Sequence, residues 1–173
     1  MPLILRKIRK ARWYYNQSGF PWLLESDIPA DPLGDLATNN NELSVWQIDD
    51  DKSNLPRVAA ALAANGDDIS NLDYALFDQK LLNEINITLR PSKGNSPDET
   101  ANQNWHSDIV ELSARKLVEL AKAILTHAEI KRIPEKEILH LLAQAVAADQ
   151  IERTKLRAKI WAKIDKLAIL NKN

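Results

Sequence analysis

Residues 43–66, LSVWQIDDDKSNLPRVAAALAANG, predict a strand followed directly by a helix. Val45 and Trp46 favour a strand at the start of this stretch, because β-branched and aromatic residues pack well on a pleated sheet. Three aspartates end the strand. Either Ser53 or Asn54 is typical of a helix N-cap, and the alanine-rich run that follows is typical of a helix.

Three further elements are predicted downstream of this strand and helix. The segments are a short strand over 74–77, one or two helical turns over 79–84, and a strand over 85–89 whose apolar residues alternate. The order strand, helix, strand, short helix, strand indicates an α+β fold, or a small α/β fold, in residues 1–93.

A polar, turn-rich segment interrupts the chain after this first unit. We predict a linker over 94–105 and a three-helix unit over 106–173, since apolar residues recur there at helical spacing. The first of these helices is predicted over 107–130, with Ser107 as its cap and Asp108 in its first turn. The second begins near Pro134, and the third covers about 151–170.

The N-terminal end of the chain is divided by charge. Residues 1–20 contain five basic and no acidic residues, whereas residues 21–51 contain eight acidic and no basic residues. The spacing of Ile4, Ile8 and Ala11 predicts a helix over 3–15, and a strand over 3–5 is the alternative.

We interpret this basic segment as a binding surface. Its members are Arg6, Lys7, Arg9, Lys10, Arg12 and Trp13. Three complements are open: the protein's own acidic stretch over 25–51, a partner protein, and nucleic acid. Nucleic acid is the least favoured, because proteins that bind it are usually basic overall, and this chain has a net charge of -1 and a pI of about 6.3.

The last predicted helix carries a second basic surface. Lys155, Lys159 and Lys163 recur every four residues and are further candidates for binding a partner. An apolar row lies beside them, formed by Leu156, Ile160, Ile164 and Leu167. We expect this row to be buried, either on the helix that contains Leu117, Ala121 and Ile124 or on a partner.

Composition excludes several classes of protein. The chain has no cysteine, so disulfides, thiolate zinc sites and thiol nucleophiles are excluded. Its four glycines, at positions 19, 34, 66 and 94, cannot build a P-loop, a dinucleotide fingerprint or the nucleophile turn of α/β-hydrolases. Because no apolar run approaches the roughly 20 residues of a membrane span, we expect a soluble cytoplasmic protein without a cofactor.

One pattern favours an enzyme. Asp49, Asp50 and Asp51 follow the strand directly, and carboxylates at a strand end can hold Mg²⁺ or Ca²⁺. A metal-dependent hydrolase or nuclease would need these residues to converge with His106 or Asp108. Adjacent carboxylates on an open turn lack a second ligand segment, so we predict neither a metal site nor catalytic residues.

The sequence therefore favours a small, non-catalytic accessory, adaptor or regulatory protein that acts by protein–protein interaction. The partner is another protein, and a second copy of this chain is among the candidates. A metal-dependent hydrolase is the alternative, and a nucleic-acid-binding regulator is the third hypothesis.

Overall fold

A single antiparallel sheet organises the protein. The computed structural model describes residues 2–13, 23 and 27–170, apart from the side chains of Ala168 and Leu170. The strands are Leu3–Lys7 (β1), Leu43–Ile48 (β2), Leu72–Asp78 (β3), Thr88–Pro91 (β4), His106–Val110 (β5) and Glu129–Ile133 (β6). They lie in the order β4-β5-β2-β1-β3-β6, and every neighbouring pair is antiparallel.

Helices cover both faces of this sheet. They are Leu55–Ala64 (α1), Lys80–Glu84 (α2), Glu99–Asn104 (α3), Ala114–His127 (α4), Glu135–Ala147 (α5) and Ala158–Leu170 (α6). Short 3₁₀ turns occur at Lys10–Arg12, Asp31–Leu36 and Arg153–Lys155. The α+β prediction is confirmed, and helices are present in the C-terminal part. No helix in the described part of the chain is both long and apolar enough to cross a membrane.

The sheet has a hydrophobic core on each face, because side chains alternate between the two faces along each strand. Leu5 of β1 points towards α1, α5 and α6, whereas its neighbour Ile4 points towards α4 and the Asp31–Leu36 turn. In β2, Trp46 and Val45 are divided between the same two faces. Because both faces of the central strands are covered, these strands are apolar on both sides, which is typical of a fully buried strand.

Local sequence patterns identified the two strands that flank β1 and the helix between them. The strand predicted over 43–48 is β2, the helix after it is α1, and the strand predicted over 74–77 lies within β3. Asn54 does occupy the N-cap position of α1. Its side chain does not cap the helix, however, since its Oδ1 accepts from the backbone N–H of Asp49 and its Nδ2 donates to the carbonyl of Gln47.

The helix predicted over 3–15 is wrong, and the alternative strand is correct. Residues Leu3–Lys7 form the central strand β1, which pairs with β2 on one side and β3 on the other. A helix would have buried Ile4 and left Leu5 in water. The strand buries both residues completely, one on each face of the sheet.

The helix predicted over 107–130 is present as α4, but it is shorter at both ends, Ala114–His127. The first residues of the predicted range belong to β5, where the buried Ser107 hydroxyl accepts from Gln47 Nε2 at 2.7 Å, and Asp108 lies in the same strand. Glu111 then adopts a left-handed conformation with φ 57°, which turns the chain. Ser113, rather than Ser107, caps α4 by accepting from the backbone N–H of Lys116.

The last helix begins seven residues later than the approximate start predicted. Residues Arg153–Lys155 form a 3₁₀ turn between extended residues Glu152 and Leu156, and α6 starts at Ala158. Ile151 and Leu156 are nevertheless buried in the core under α5 and α1. Their burial holds the segment before α6 against the core, although neither residue is helical.

The sheet draws strands from both sides of the segment predicted as a linker. Within that segment, residues Glu99–Asn104 form α3, and β5 and β6 from the C-terminal part pair with β2, β4 and β3. The two outermost described strands carry residues that discourage further pairing. Strand β4 is short and contains Pro91, and β6 presents Lys131 and Arg132.

Candidate functional site

Asp35 is the centre of the N-terminal basic segment. Its carboxylate is only 6% exposed and accepts from the backbone N–H of Arg9 at 2.7 Å and from Trp13 Nε1 at 2.9 Å. Arg12 Nη1 lies 3.2 Å from the other carboxylate oxygen. Two nitrogens of Arg6 donate to the backbone carbonyl of Asp35, at 2.7 and 3.2 Å. Three of the predicted partner-binding side chains therefore have internal partners.

The other basic residues of this segment have different surroundings. Lys7 is exposed at the end of β1, and the Arg9 side chain is 72% exposed, with its Nε 4.0 Å from Asp35 Oδ1. The backbone N–H of Lys10 donates to Asp73 Oδ2 at 2.9 Å, which ties the turn after β1 to β3. Tyr14 and Tyr15, the aromatic residues that follow Trp13, lie outside the described residues.

Helix α6 buries its apolar row as predicted, but on a different helix. Leu156, Ile160 and Ile164 are buried in the core formed with α1 and α5, and Leu167 is half-buried. The predicted neighbours on α4 line the opposite face of the sheet. The correction follows from β6, because this strand lies between α4 and α5 in the chain and the two helices pack on opposite faces of the sheet.

The three lysines of the second basic surface differ in their surroundings. Lys163 contacts Asp68 at 2.9 Å and Glu135 at 2.8 Å, so it joins α6 to α5 and to the turn before β3. Lys155 lies 3.0 Å from Glu152. Lys159 is exposed. On the far side of the helix Ile169 is 62% exposed.

The acidic turn and His106 do not converge. His106 pairs with Trp46 across β2 and β5, and Asp49 follows Trp46 by three residues, just beyond the end of β2, about 10 Å away at the usual rise of a strand. Asp50 and Asp51 follow Asp49 and are further along the chain from Trp46. Asp108 pairs with Ser44, which lies on the other side of Trp46 from Asp49. Among the described residues, no group of three or more His, Asp and Glu side chains could hold a metal.

His106 instead lies in a polar groove on the α1 face of the sheet. Its Nδ1 is 2.9 Å from Ser92 Oγ, and its ring meets Trp46 edge to face, with centroids 5.1 Å apart. Burial lowers the pKa of His106 below its ordinary value, and the nearby Asp108 carboxylate opposes this shift. Burial thus favours the neutral imidazole, whose Nδ1 shares a hydrogen bond with the Ser92 hydroxyl.

A cavity lies between α1 and α5, beside the end of β2. Its volume is about 440 Å³, and Asp49, Arg57 and Trp105 line it. Arg57 forms two hydrogen bonds with Asp98, at 2.7 and 2.9 Å, and its guanidinium carbon lies 5.6 Å from the centroid of the Trp105 ring. The Asp98 side chain is 1% exposed and also caps α3 through the backbone N–H of Ala101.

Sequence reasoning missed most of these pairs. Nothing in the local pattern connects Arg57 with Asp98 or Ser92 with His106, since each pair is joined only by the pairing of distant strands and helices. Asp98 had a detectable signal, because an aspartate directly before Glu99 at the start of a polar helix is typical of an N-cap.

The chain was compared with protein-family models, curated proteins and solved structures, and none of them matches.

Proposed function

We propose that this chain is a non-catalytic protein that acts by binding another protein, and that the outer face of α6 is its contact surface. The exposure of Ile169 carries the proposal. It is 62% exposed, whereas the other large hydrophobic side chains in the described part of the chain are at least partly buried. An exposed apolar side chain bordered by charged residues is a feature of many protein interfaces.

The packing of α6 supports a fixed contact surface. Ile160 and Ile164 are buried against the rest of the protein, so the helix presents one constant face to solvent. Ala158 and Ala162 share the exposed face with Ile169 and let a partner approach the helix backbone closely.

Charge beside this face favours a partner with acidic residues. Lys159 and Lys166 are exposed along one flank of Ile169. On the other flank, the Arg153 guanidinium lies 3.7 Å from the ring centroid of Trp161, and Arg153 also pairs with Asp165 at 3.1 Å. Complementary charges of this kind raise association rates and select among partners.

The N-terminal basic segment has a smaller part in the proposed surface. Arg6, Arg12 and Trp13 already have partners inside the protein. Lys7 and Arg9 are the exposed members proposed as a secondary contact, and Arg9 also lies 4.0 Å from Asp35.

Quantitative affinity capture with a tagged chain tests the proposal. Wild type and an Ile169→Glu variant would be incubated with extract of the source cell, and every captured protein would be quantified. We expect at least one protein to be captured by wild type in a stoichiometric amount and to be lost at least tenfold in Ile169→Glu, equivalent to about 1.4 kcal/mol of binding.

Lys136→Glu, an exposed charge reversal on α5, is the matched control and should capture the same protein as wild type. Binding of that protein in purified form should weaken in Lys159→Glu and as the salt concentration rises. Identical captured sets for wild type and Ile169→Glu would overturn the assignment of the surface.

A further inference from the structure

The end of α1 carries an asparagine followed directly by a glycine. Asn65 is the C-cap residue of α1, Gly66 begins the turn that leads to β3, and no other Asn-Gly pair occurs in the sequence. A glycine has no side chain beside its backbone nitrogen, so this nitrogen can approach the preceding asparagine side chain closely. Because both groups belong to neighbouring residues, a reaction between them is intramolecular.

The fold favours the glycine of this pair. A Cβ atom at position 66 would lie 3.1 Å from the backbone oxygen of Asp68 and 3.2 Å from that of Ala63. Contacts this short would force the turn to shift, so a residue with a side chain fits less well here. The reactive pair is thus a consequence of how tightly the chain turns after α1.

The Asn65 side chain is accessible, whereas the Gly66 nitrogen is partly protected. Asn65 is exposed, and the hydrogen bond from its Nδ2 to Asn95 Oδ1 is long, at 3.3 Å. The backbone N–H of Gly66 donates to the carbonyl of Ala63 at 3.0 Å, and Asn65 has helical angles of φ -80° and ψ -7°. The nitrogen therefore reaches Asn65 Cγ only when this last turn opens. Helix ends fray at a low cost in free energy, so the fold slows this approach without blocking it.

Asn95 is the natural comparison, because a small residue, Ser96, follows it. Ser96 is buried, however, and its backbone N–H donates to Asn102 Oδ1 at 3.0 Å. The Ser96 hydroxyl donates to the same oxygen at 2.7 Å. Opening this segment would break a buried polar network, which costs more than fraying the end of a helix. The local structure thus distinguishes Asn65 from Asn95.

We propose that Asn65 is a site of spontaneous deamidation and isoaspartate formation in the folded protein. The Gly66 nitrogen attacks Asn65 Cγ and forms a new N–Cγ bond. The Cγ–Nδ2 bond breaks, and Nδ2 leaves as ammonia with the proton from Gly66. Water then opens the cyclic imide. Cleavage of the N–Cγ bond gives aspartate, and cleavage of the bond between this nitrogen and the main-chain carbonyl carbon of residue 65 gives isoaspartate.

The product changes both the charge and the main chain at the end of α1. A carboxylate at position 65 meets the partial negative charge of the helix C-terminus and is close in sequence to Asp67 and Asp68. Isoaspartate also lengthens the main chain by a methylene group. The turn that follows contacts α6, since Lys163 Nζ lies 2.9 Å from Asp68 Oδ1 and donates to the carbonyl of Ile69 at 3.1 Å. We expect the modified protein to melt about 1–4 °C below the unmodified protein.

Peptide mapping of the full chain tests the proposal. The folded protein would be incubated for weeks at mildly alkaline pH, digested with trypsin and analysed by tandem mass spectrometry. Deamidation raises the mass by about 1 Da, and fragment ions of the tryptic peptide 58–80 assign the change to Asn65 or to Asn71. We expect two products of equal mass at Asn65, aspartate and isoaspartate. They should form at least about tenfold faster than the products at Asn71 or Asn95.

Three variants assign the reaction to this pair. Asn65→Gln, whose longer side chain would have to close a larger ring, should slow the mass change at position 65 by at least about tenfold. Gly66→Ala, once shown by thermal melting to be folded, should also slow it by at least about tenfold, because the methyl group hinders the nitrogen. Asn83→Gln, at an exposed position on α2, is the matched control and should react at Asn65 as wild type does.

Incubation in urea separates the chemistry of the pair from the protection that the fold gives. Asn65 should react faster in urea than in the folded chain, because the Gly66 N–H then has no fixed acceptor. Reaction in urea with none in the folded chain over the same period would overturn the proposal. Equal rates at Asn65, Asn71 and Asn95 in the folded chain, or an unchanged rate in folded Gly66→Ala, would also overturn it.

Discussion

The indole N–H of Trp13 donates to Asp35 Oδ2 at 2.9 Å, and this bond joins the basic and the acidic parts of the N-terminal region. The same oxygen accepts from the backbone N–H of Arg9. The opposed charges at this end of the protein thus partly contact one another, and these contacts hold the turn after β1 against the Asp31–Leu36 turn.

Removal of the Asp35 carboxylate should destabilise the protein. Asp35→Ala leaves the buried Trp13 indole N–H and the Arg12 guanidinium without their acceptor, and breaking a buried charged network of this kind costs roughly 3–5 kcal/mol. Urea unfolding followed by circular dichroism measures the change. Glu84→Ala, at an exposed position, should stay within about 0.5 kcal/mol of wild type. Equal midpoints for both variants would contradict the role of Asp35.

Ile160 should contribute more to stability than any exposed residue of α6. Its side chain is fully buried, so Ile160→Ala leaves a cavity and should lower the free energy of unfolding by roughly 2–5 kcal/mol. The neighbouring Lys159→Ala should change it by no more than about 0.5 kcal/mol. Denaturant titrations of the two variants give the comparison, and a wild-type-like Ile160→Ala would mean that α6 is not docked.

Arg57 and Asp98 should be energetically coupled. Each single alanine substitution leaves a charge in a buried or half-buried place, so each should cost more than an exposed ion pair would. In a double-mutant cycle, the loss in the double variant should be smaller than the sum of the single losses by about 0.5–3 kcal/mol. Additive losses would show that the two side chains do not interact in solution.

His106 should make stability depend on pH in the acidic range. Burial lowers its pKa below the ordinary value of 6.5, so the unfolded chain binds a proton at a higher pH than the folded chain does. The contribution is fully present above pH 6.5 and is lost as the pH falls through the lower, folded-state pKa.

Unfolding free energies of wild type and His106→Gln between pH 7.5 and 4.5 measure this effect, since titrations of other groups cancel in the difference. Wild type should lose stability relative to the variant as the pH is lowered through this range. A constant difference across the range would show that His106 titrates alike in both states.

Sequence patterns predicted those elements whose identity is set locally. The β propensity of Val45 and Trp46 and the alanine-rich run of α1 are local features, and both elements form as expected. Strand β5 has only five residues and precedes a helical stretch, so its own pattern did not distinguish it from the helix. Its pairing with β2 and β4 determines its structure.

The candidate site was less accessible to prediction, for a related reason. The charge division predicted that the basic segment has an acidic complement, but nothing local distinguished Asp35 from the other acids of that stretch. The pairing of Arg57 with Asp98 depends on the docking of α1 beside α3, and the separation of Asp49 from His106 depends on strand register. Such relationships become visible only when the tertiary structure is known.

The central position of β1 has a consequence for how the chain folds. Leu3 pairs with Ile48 and with Asp78, so the sheet closes only after contacts between distant parts of the chain have formed, and this slows folding. Until β1 docks, β2 and β3 expose backbone groups beside apolar side chains, without the proline and lysine that blunt the native edges. Aggregation of this protein during refolding should therefore begin at β2 and β3, the two strands that pair with β1 and are buried once folding is complete.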